Sequence, residues 1–245
     1  MTSVGIDVGG SGVKGAVVDV SAGDLVGERF RLETPRPADV TNLVETVAAV
    51  AAEVGPADHW GITFPGVILD GHVRTAANLD PSWVDVPGEA MFAEAVGGPV
   101  TLLNDADAAG LAEVRFGAGR GQRGVTLMLT FGTGIGSALF VEGNLVPNTE
   151  FGHLELDGFD AETRASDRAR EVEELDWPEW AERVQRYLSH VEGLVWPDLI
   201  IIGGGVSKKT DKWLSHVDIR TPIVPATLQN HAGIIGAAVA AAART

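Results

Sequence analysis

Apolar positions along this chain fall into two periods, and the change from one to the other marks out its elements. Val4 to Val8 and Ala16 to Val20 are short β-branched runs on either side of a glycine-rich turn, which predicts a β-hairpin. From Val40 to Val54 the spacing becomes helical, with Leu43, Val44, Val47, Val50, Ala51 and Val54 recurring on one face. A strand from His59 to Phe64 ends at Pro65-Gly66, and residues 67–103 hold turns, a short helix around Glu89 to Ala95 and a strand from Val100 to Leu103. Asn104-Asp105-Ala106-Asp107 then carries a strand end into a helix running through Arg115, with side chains suited to capping it.

The opening device recurs in the second half. Val125 to Thr130 and Ser137 to Val141 flank Phe131-Gly132-Thr133-Gly134-Ile135-Gly136, a second strand, glycine turn and strand. Asp160 to Asp176 is a charged stretch that reads as mostly a solvated helix or loop. The following segment is amphipathic, with Trp177, Trp180, Val184, Tyr187, Leu188, Val191 and Leu194 on one face, aromatics that read as core. Asp198 to Ile202 is a strand ending in Gly203-Gly204-Gly205, and Gly233 to Ala242 is a final small-residue helix. The pattern predicts two hairpin-led α/β halves.

Composition narrows the chemistry. The 31 glycines lie in clusters between apolar runs, which excludes collagen-like and disordered readings and assigns them to turns and ligand loops. There is no cysteine, which excludes disulfides, thiolate metal sites and cysteine nucleophiles and suits a reducing cytoplasm. No basic leader with an apolar core opens the chain, and its apolar stretches fall short of a membrane span, so a soluble intracellular protein is expected. A net charge of −16 argues against general nucleic-acid binding and requires a local basic patch for any anionic substrate. Lysine occurs only at Lys14, Lys208, Lys209 and Lys212, so three of the four lie within five residues.

Gly10-Ser11-Gly12-Val13-Lys14-Gly15 matches G-x-G-x-x-G, yet a dinucleotide fingerprint must open into a helix, and Ala16 to Val20 is strand-like. No G-K-[ST] occurs, so a P-loop is excluded as well. A glycine hairpin can still hold phosphate, because its N–H groups form an anion-binding nest. Asp7 would then hold Mg²⁺ through water and Lys14 would reach a phosphoryl oxygen; the competing reading is a purely structural turn. The second turn, at Gly132, Thr133, Gly134 and Gly136, and a third glycine loop, Gly203-Gly204-Gly205-Val206-Ser207 at a strand end, favour ligand binding by recurrence.

These segments together resemble the ROK sugar kinases of the actin-like superfold over nearly the whole chain. The resemblance rests on Asp7-Val8-Gly9-Gly10-Ser11-Gly12-Val13-Lys14 as first phosphate loop, Phe64-Pro65-Gly66 as sugar loop and Leu103-Asn104-Asp105 as catalytic strand end. Phe131 to Gly136 matches the second phosphate loop, Glu150-Phe151-Gly152-His153 the sugar-binding E-x-G-H, and Gly203 to Ser207 the nucleoside loop. The family usually follows E-x-G-H with a cysteine-rich zinc motif; this chain has no cysteine, so structural zinc is not expected. In this it is similar to the actinobacterial polyphosphate glucokinases and glucomannokinases.

The resemblance implies two ribonuclease-H-like α/β domains, residues 1–103 with a final helix at about 229–245, and residues 104–228, with sugar and donor in a cleft between them. It implies transfer from inorganic polyphosphate or ATP to the 6-hydroxyl of glucose, with Mg²⁺, and a homodimer. Asp105 is then the general base, although a helix N-cap is its competing role. Gly66, Asn78, Asn104, Glu150 and His153 would bind sugar, with Glu155 replacing a carboxylate that relatives place after the zinc motif. Lys208, Lys209 and Lys212 would serve the distal phosphates of a long donor. Alternatives are an ATP-dependent kinase for mannose, N-acetylmannosamine or fructose, and a non-catalytic sugar sensor. Repressors in the family carry a basic N-terminal DNA-binding domain, for which a first strand at about Val4 leaves no room.

Overall fold

The structure, a computed structural model, describes residues 1–76 and 79–244. The chain divides into two compact units, Met1–Ala112 with Asn230–Thr245, and Glu113–Gln229.

In the first unit β1 (Thr2–Gly9) and β2 (Gly12–Asp19) form the predicted antiparallel hairpin, with Gly9 opposite Gly12 at its tip. β3 (Asp24–Leu32) extends it by a strand that the hydropathy pattern does not signal, because no position on it is fully buried and charged residues interrupt it. α1 (Val40–Val54) starts where the Asp39 carboxylate accepts the Asn42 N–H at 2.9 Å, and buries Leu43, Val47, Val50 and Ala51. β4 (Trp60–Phe64) pairs parallel with β1 and is buried at every position, as a central parallel strand must be. The short antiparallel pair β5 (Ile68–Leu69) and β6 (His72–Val73) precedes α2 (Gly88–Val96) and β7 (Val100–Asn104), which is parallel to β4. The sheet order is β3-β2-β1-β4-β7.

α3 (Asp105–Phe116) leaves β7 with no intervening loop, so the change of unit at Ala112 falls inside a helix instead of at residue 103. The final helix (Ala232–Ala242) completes the first unit. Two glycines let its backbone lie directly on the sheet: a Cβ at Gly5 would overlap the Ile234 carbonyl, and one at Gly61 the Ala237 carbonyl.

The second unit holds the hairpin β8 (Val125–Phe131) and β9 (Ile135–Val141), extended by β10 (Asn144–Val146). A small pair, β11 (Glu155–Leu156) and β12 (Phe159–Asp160), leads into α4 (Glu162–Ala165), α5 (Asp167–Val172) and the long α6 (Trp177–Val195). β13 (Leu199–Gly204) and β14 (Ile223–Pro225) add parallel strands, giving the order β10-β9-β8-β13-β14. Each sheet therefore repeats one plan, an antiparallel meander continued by two parallel strands.

Two expectations are refined here. The stretch from Asp160 to Asp176 is mostly solvent-facing, as expected, but Ala161, Ala165, Ser166 and Ala169 are buried, and the Trp180 indole N–H donates to the Ala165 carbonyl at 3.0 Å. Leu194, placed on the apolar face of α6 by spacing, is 57% exposed, because the buried stripe ends at Val191. α6 itself opens with a reciprocal cap, Asp176 accepting from the Glu179 N–H at 2.9 Å and Glu179 from the Asp176 N–H at 3.0 Å.

Candidate active site

The first glycine loop is the tip of the β1–β2 hairpin, and its neighbours are polar. Asp7, one turn of the pleat before it, accepts from the buried Thr63 hydroxyl at 3.0 Å and pairs with the Lys14 ammonium at 3.3 Å. Thr63 in turn accepts the Val8 N–H at 3.0 Å, so β4 fixes the aspartate and the strand that carries it together. Asp7 and Lys14 face one another across the hairpin as directly opposed residues. One partly buried carboxylate beside a lysine fits a cation held through water with phosphate completing the shell, which is how Mg²⁺ is usually bound. Arg31 on β3 donates to the Ser11 carbonyl at 2.7 Å, and a Cβ at Gly12 would meet its guanidinium. At Gly10 a Cβ would meet nothing, so that part of the tip is open.

At the end of β7 the two competing roles of Asn104 and Asp105 separate. The buried Asn104 side chain caps α3, its Oδ1 accepting the Ala106 and Asp107 N–H groups at 2.8 and 3.0 Å, while its amide donates to the Gly66 carbonyl at 3.1 Å. Asn104 thus ties the loop at Gly66 to the helix start. Asp105 is the first residue of α3, half-buried, and its carboxylate accepts the Ala106 N–H at 2.8 Å. With the cap made by Asn104, Asp105 is not needed for it. Gly66 is required by space, since a Cβ there would overlap the Thr75 carbonyl. Asn78 lies outside the described residues.

In the second unit the glycine turn joins β8 to β9, and the Gly132 N–H donates to the Gly134 carbonyl at 2.9 Å. Thr133 at its tip is exposed. The E-x-G-H segment is a 3-10 turn, Phe151–His153, held against β9: the Ser137 hydroxyl donates to the Thr149 carbonyl at 2.6 Å and accepts the Phe151 N–H at 3.0 Å. Gly152 is there because a Cβ would overlap the Ile135 carbonyl. Glu150 and His153 therefore flank a residue that touches the strand leaving the second glycine loop.

The carboxylates that join this pair are Asp160 and Glu162, which the sequence pattern does not single out. The Asp160 carboxylate lies 2.8 Å from His153 Nδ1, and Glu162 Oε1 is 4.0 Å from the same nitrogen. Among the described residues this His, Asp and Glu form the one trio with ligand atoms within 4.8 Å of one another. Burial opposes protonation of His153, but the hydrogen bond to Asp160 and the charges of Glu162, Asp160 and Glu150 outweigh it and raise its pKa. The Glu150 carboxyl is also raised, chiefly by burial, with Glu162 adding to the rise and His153 opposing it. Glu155, by contrast, is exposed on β11 opposite Asp160.

The third glycine loop follows β13. Gly204 adopts φ +78, and a Cβ there would overlap the Phe131 carbonyl, so this loop abuts the start of the second one. The Ser207 hydroxyl is turned back onto the loop, donating to the Gly204 carbonyl at 2.8 Å. Of the lysines after it, Lys209 and Lys212 lie 5.4 and 5.8 Å from the centre of the Trp177 ring, with the Arg170 guanidinium over the same ring at 4.3 Å. Lys208 is exposed beside them.

Known proteins resemble this chain over most or all of its length. The model of the ROK family matches residues 3–166. A polyphosphate glucokinase of Mycobacterium tuberculosis is 52% identical over 242 residues, 98% of this chain and 91% of the relative. The solved inorganic polyphosphate/ATP-glucomannokinase from Arthrobacter sp. strain KM superposes with a TM-score of 0.96 at 52% identity, covering 100% of this chain and 99% of that one. A ROK family glucokinase from Streptomyces griseus, solved with glucose and AMPPNP, gives a TM-score of 0.85 at 25% identity, covering 99% of this chain and 100% of that one.

Proposed function

We propose, from the premise that this chain belongs to the ROK family, that it transfers a phosphoryl group from inorganic polyphosphate or ATP to the 6-hydroxyl of glucose. Its fold is the actin-like ATPase fold of the ROK sugar kinases. The observation that carries the reading is the strand end at Asn104-Asp105, where the cap of α3 is supplied by one residue and a carboxylate is presented by the next.

Phosphoryl transfer needs positioning and charge neutralisation more than covalent help from the protein. Asp105 accepts the proton of the sugar hydroxyl as its oxygen bonds to phosphorus and the bond to the leaving phosphate breaks. Gly9, Gly10, Ser11 and Gly12 in the first unit, and Gly132, Thr133, Gly134 and Gly136 in the second, present N–H and hydroxyl donors to the donor's phosphates, and Lys14 adds a positive charge. Mg²⁺, carried through water by Asp7, would neutralise charge building on those phosphates. Glu150, His153 and Glu162 supply the acceptors and donors that adjacent hexose hydroxyls require, with Gly66 and Asn104 shaping the sugar loop. Gly203, Gly204, Gly205 and Ser207 lie at the far end of the donor. Mannose as a second acceptor is supported by the likeness to the Arthrobacter glucomannokinase. A homodimer, by family likeness, and a cytoplasmic setting, which the absence of cysteine suits, belong to the same proposal.

The test is sugar-phosphate formation from glucose or mannose with ATP or polyphosphate. Asp105→Asn should bind glucose normally by calorimetry and lose about 10²–10⁴-fold in turnover. Turnover close to that of the parent would remove Asp105 as the base. Glucose binding without product from either donor would leave a sugar sensor.

A further inference from the structure

We propose that Asp160 is a positioning residue for sugar phosphorylation, holding the His153 imidazole and the start of α4 in one arrangement beside the second glycine loop. The proposal rests on the reading of His153 as a sugar contact. Asp160 Oδ2 sits 2.8 Å from His153 Nδ1, and its Oδ1 accepts the Glu162 N–H at 3.2 Å, so each oxygen has a separate task. Glu162 continues the connection, its Oε2 accepting the Ile135 N–H at 2.9 Å. Contacts thus run from the imidazole through two carboxylates to the residue that follows Gly134. Asp160 is itself fixed, because β12 pairs with β11, the Ala161 N–H donates to the Leu154 carbonyl at 2.9 Å, and the Thr163 hydroxyl donates to the Asp160 carbonyl at 2.6 Å.

The consequence is chemical. A neutral imidazole carries one N–H, and a carboxylate against Nδ1 draws that proton to Nδ1, leaving the Nε2 lone pair to accept from a hydroxyl. Once protonated, the ring donates from both nitrogens. The charged groups facing His153 are Asp160 on β12, Glu162 on α4 and Glu150 before the 3-10 turn, all acidic, and together they favour the protonated ring. Asp160 therefore sets both the tautomer and the pH at which the ring changes from acceptor to donor. No cysteine is available to hold the ring by a shared metal, and a carboxylate does so here by hydrogen bonding.

The experiment is ¹⁵N NMR of histidine-labelled protein combined with steady-state kinetics. In the unaltered protein the neutral His153 ring should carry its proton on Nδ1; an Nε2–H tautomer would overturn the proposal without any variant. Asp160→Asn can still accept the Glu162 N–H while turning an N–H donor to the ring, so it should invert the tautomer. It should also raise the glucose KM about tenfold, leave the donor KM unchanged, and move the pH dependence of the glucose KM to lower pH. His153→Ala tests the underlying reading separately: an unchanged glucose KM there removes the sugar contact itself. If His153→Ala raises KM, Asp160→Asn should add nothing in that background. An additive effect, or parental tautomer and KM in Asp160→Asn alone, overturns the role of Asp160.

Discussion

Glu162 works in two directions, accepting the Ile135 N–H with one oxygen and approaching His153 to 4.0 Å with the other. Its charge also contributes to the raised pKa of Glu150, so Glu150, His153 and Glu162 form one electrostatic group. Glu155 is exposed on β11, with its Cα opposite that of Asp160. Removing the charge and an acceptor lone pair at Glu162 leaves a sugar hydroxyl and a loop N–H poorly matched, at a cost of roughly 1–3 kcal/mol. Glu162→Gln should therefore raise the glucose KM by about ten- to a hundredfold, whereas Glu155→Gln should leave it within about twofold. Calorimetric titration with glucose checks both, and equal losses would return Glu155 to the site. Glu150 and His153 are legible in the sequence because they sit in one short motif around a glycine. Glu162 is not, because its partnership with them is made only when the β11–β12 pair folds the chain back past His153, and a charged stretch otherwise reads as solvated.

Elements with strong periodicity are legible almost residue for residue: α1 spans the predicted Val40–Val54, and both glycine hairpins form with the expected tips. β3 escapes because its burial is only partial, so no alternation marks it; pairing with β2 across an edge holds it. The short helices α4 and α5 escape for another reason, since the one buried residue in each, Ala165 and Ala169, is an alanine set among charges. Glycine loops show where space decides the residue. Gly204 combines φ +78 with the Phe131 carbonyl pressed against the position of a Cβ. Gly204→Ala should destabilise the fold by roughly 1–3 kcal/mol, read as a lowered Tm. At Gly10 nothing lies within 4 Å of the added carbon, so Gly10→Ala should melt with the parent protein. Matching melting temperatures for the two variants would show that the contact between the third loop and β8 carries no stability.

Over the whole molecule, the strand, glycine turn and strand repeated in the sequence become two five-stranded sheets of identical order, each with its glycine hairpin in the same place. The net charge of −16 then poses a problem for a kinase whose donor is a polyanion, because the average field repels it. Cations must be concentrated where the donor runs. After the third glycine loop Lys209 and Lys212 converge on Trp177, with Arg170 over the same ring. Arg170 is already committed to Asp167 at 2.9 Å and Glu171 at 3.3 Å, so the lysines carry most of the uncompensated charge of this patch. A nucleoside needs an apolar slot, whereas a longer phosphate chain needs several point charges acting together, screened by salt. Replacing Lys208, Lys209 and Lys212 with Ala should raise the KM for long-chain polyphosphate about tenfold or more, leave the ATP KM within about twofold, and flatten the salt dependence of the polyphosphate reaction. The Lys209→Ala, Lys212→Ala pair alone should reproduce most of the effect, since Lys208 is not among the cations gathered on Trp177. Equal losses with both donors would tie the lysines to general stability, and no loss with either would make them a solvated turn.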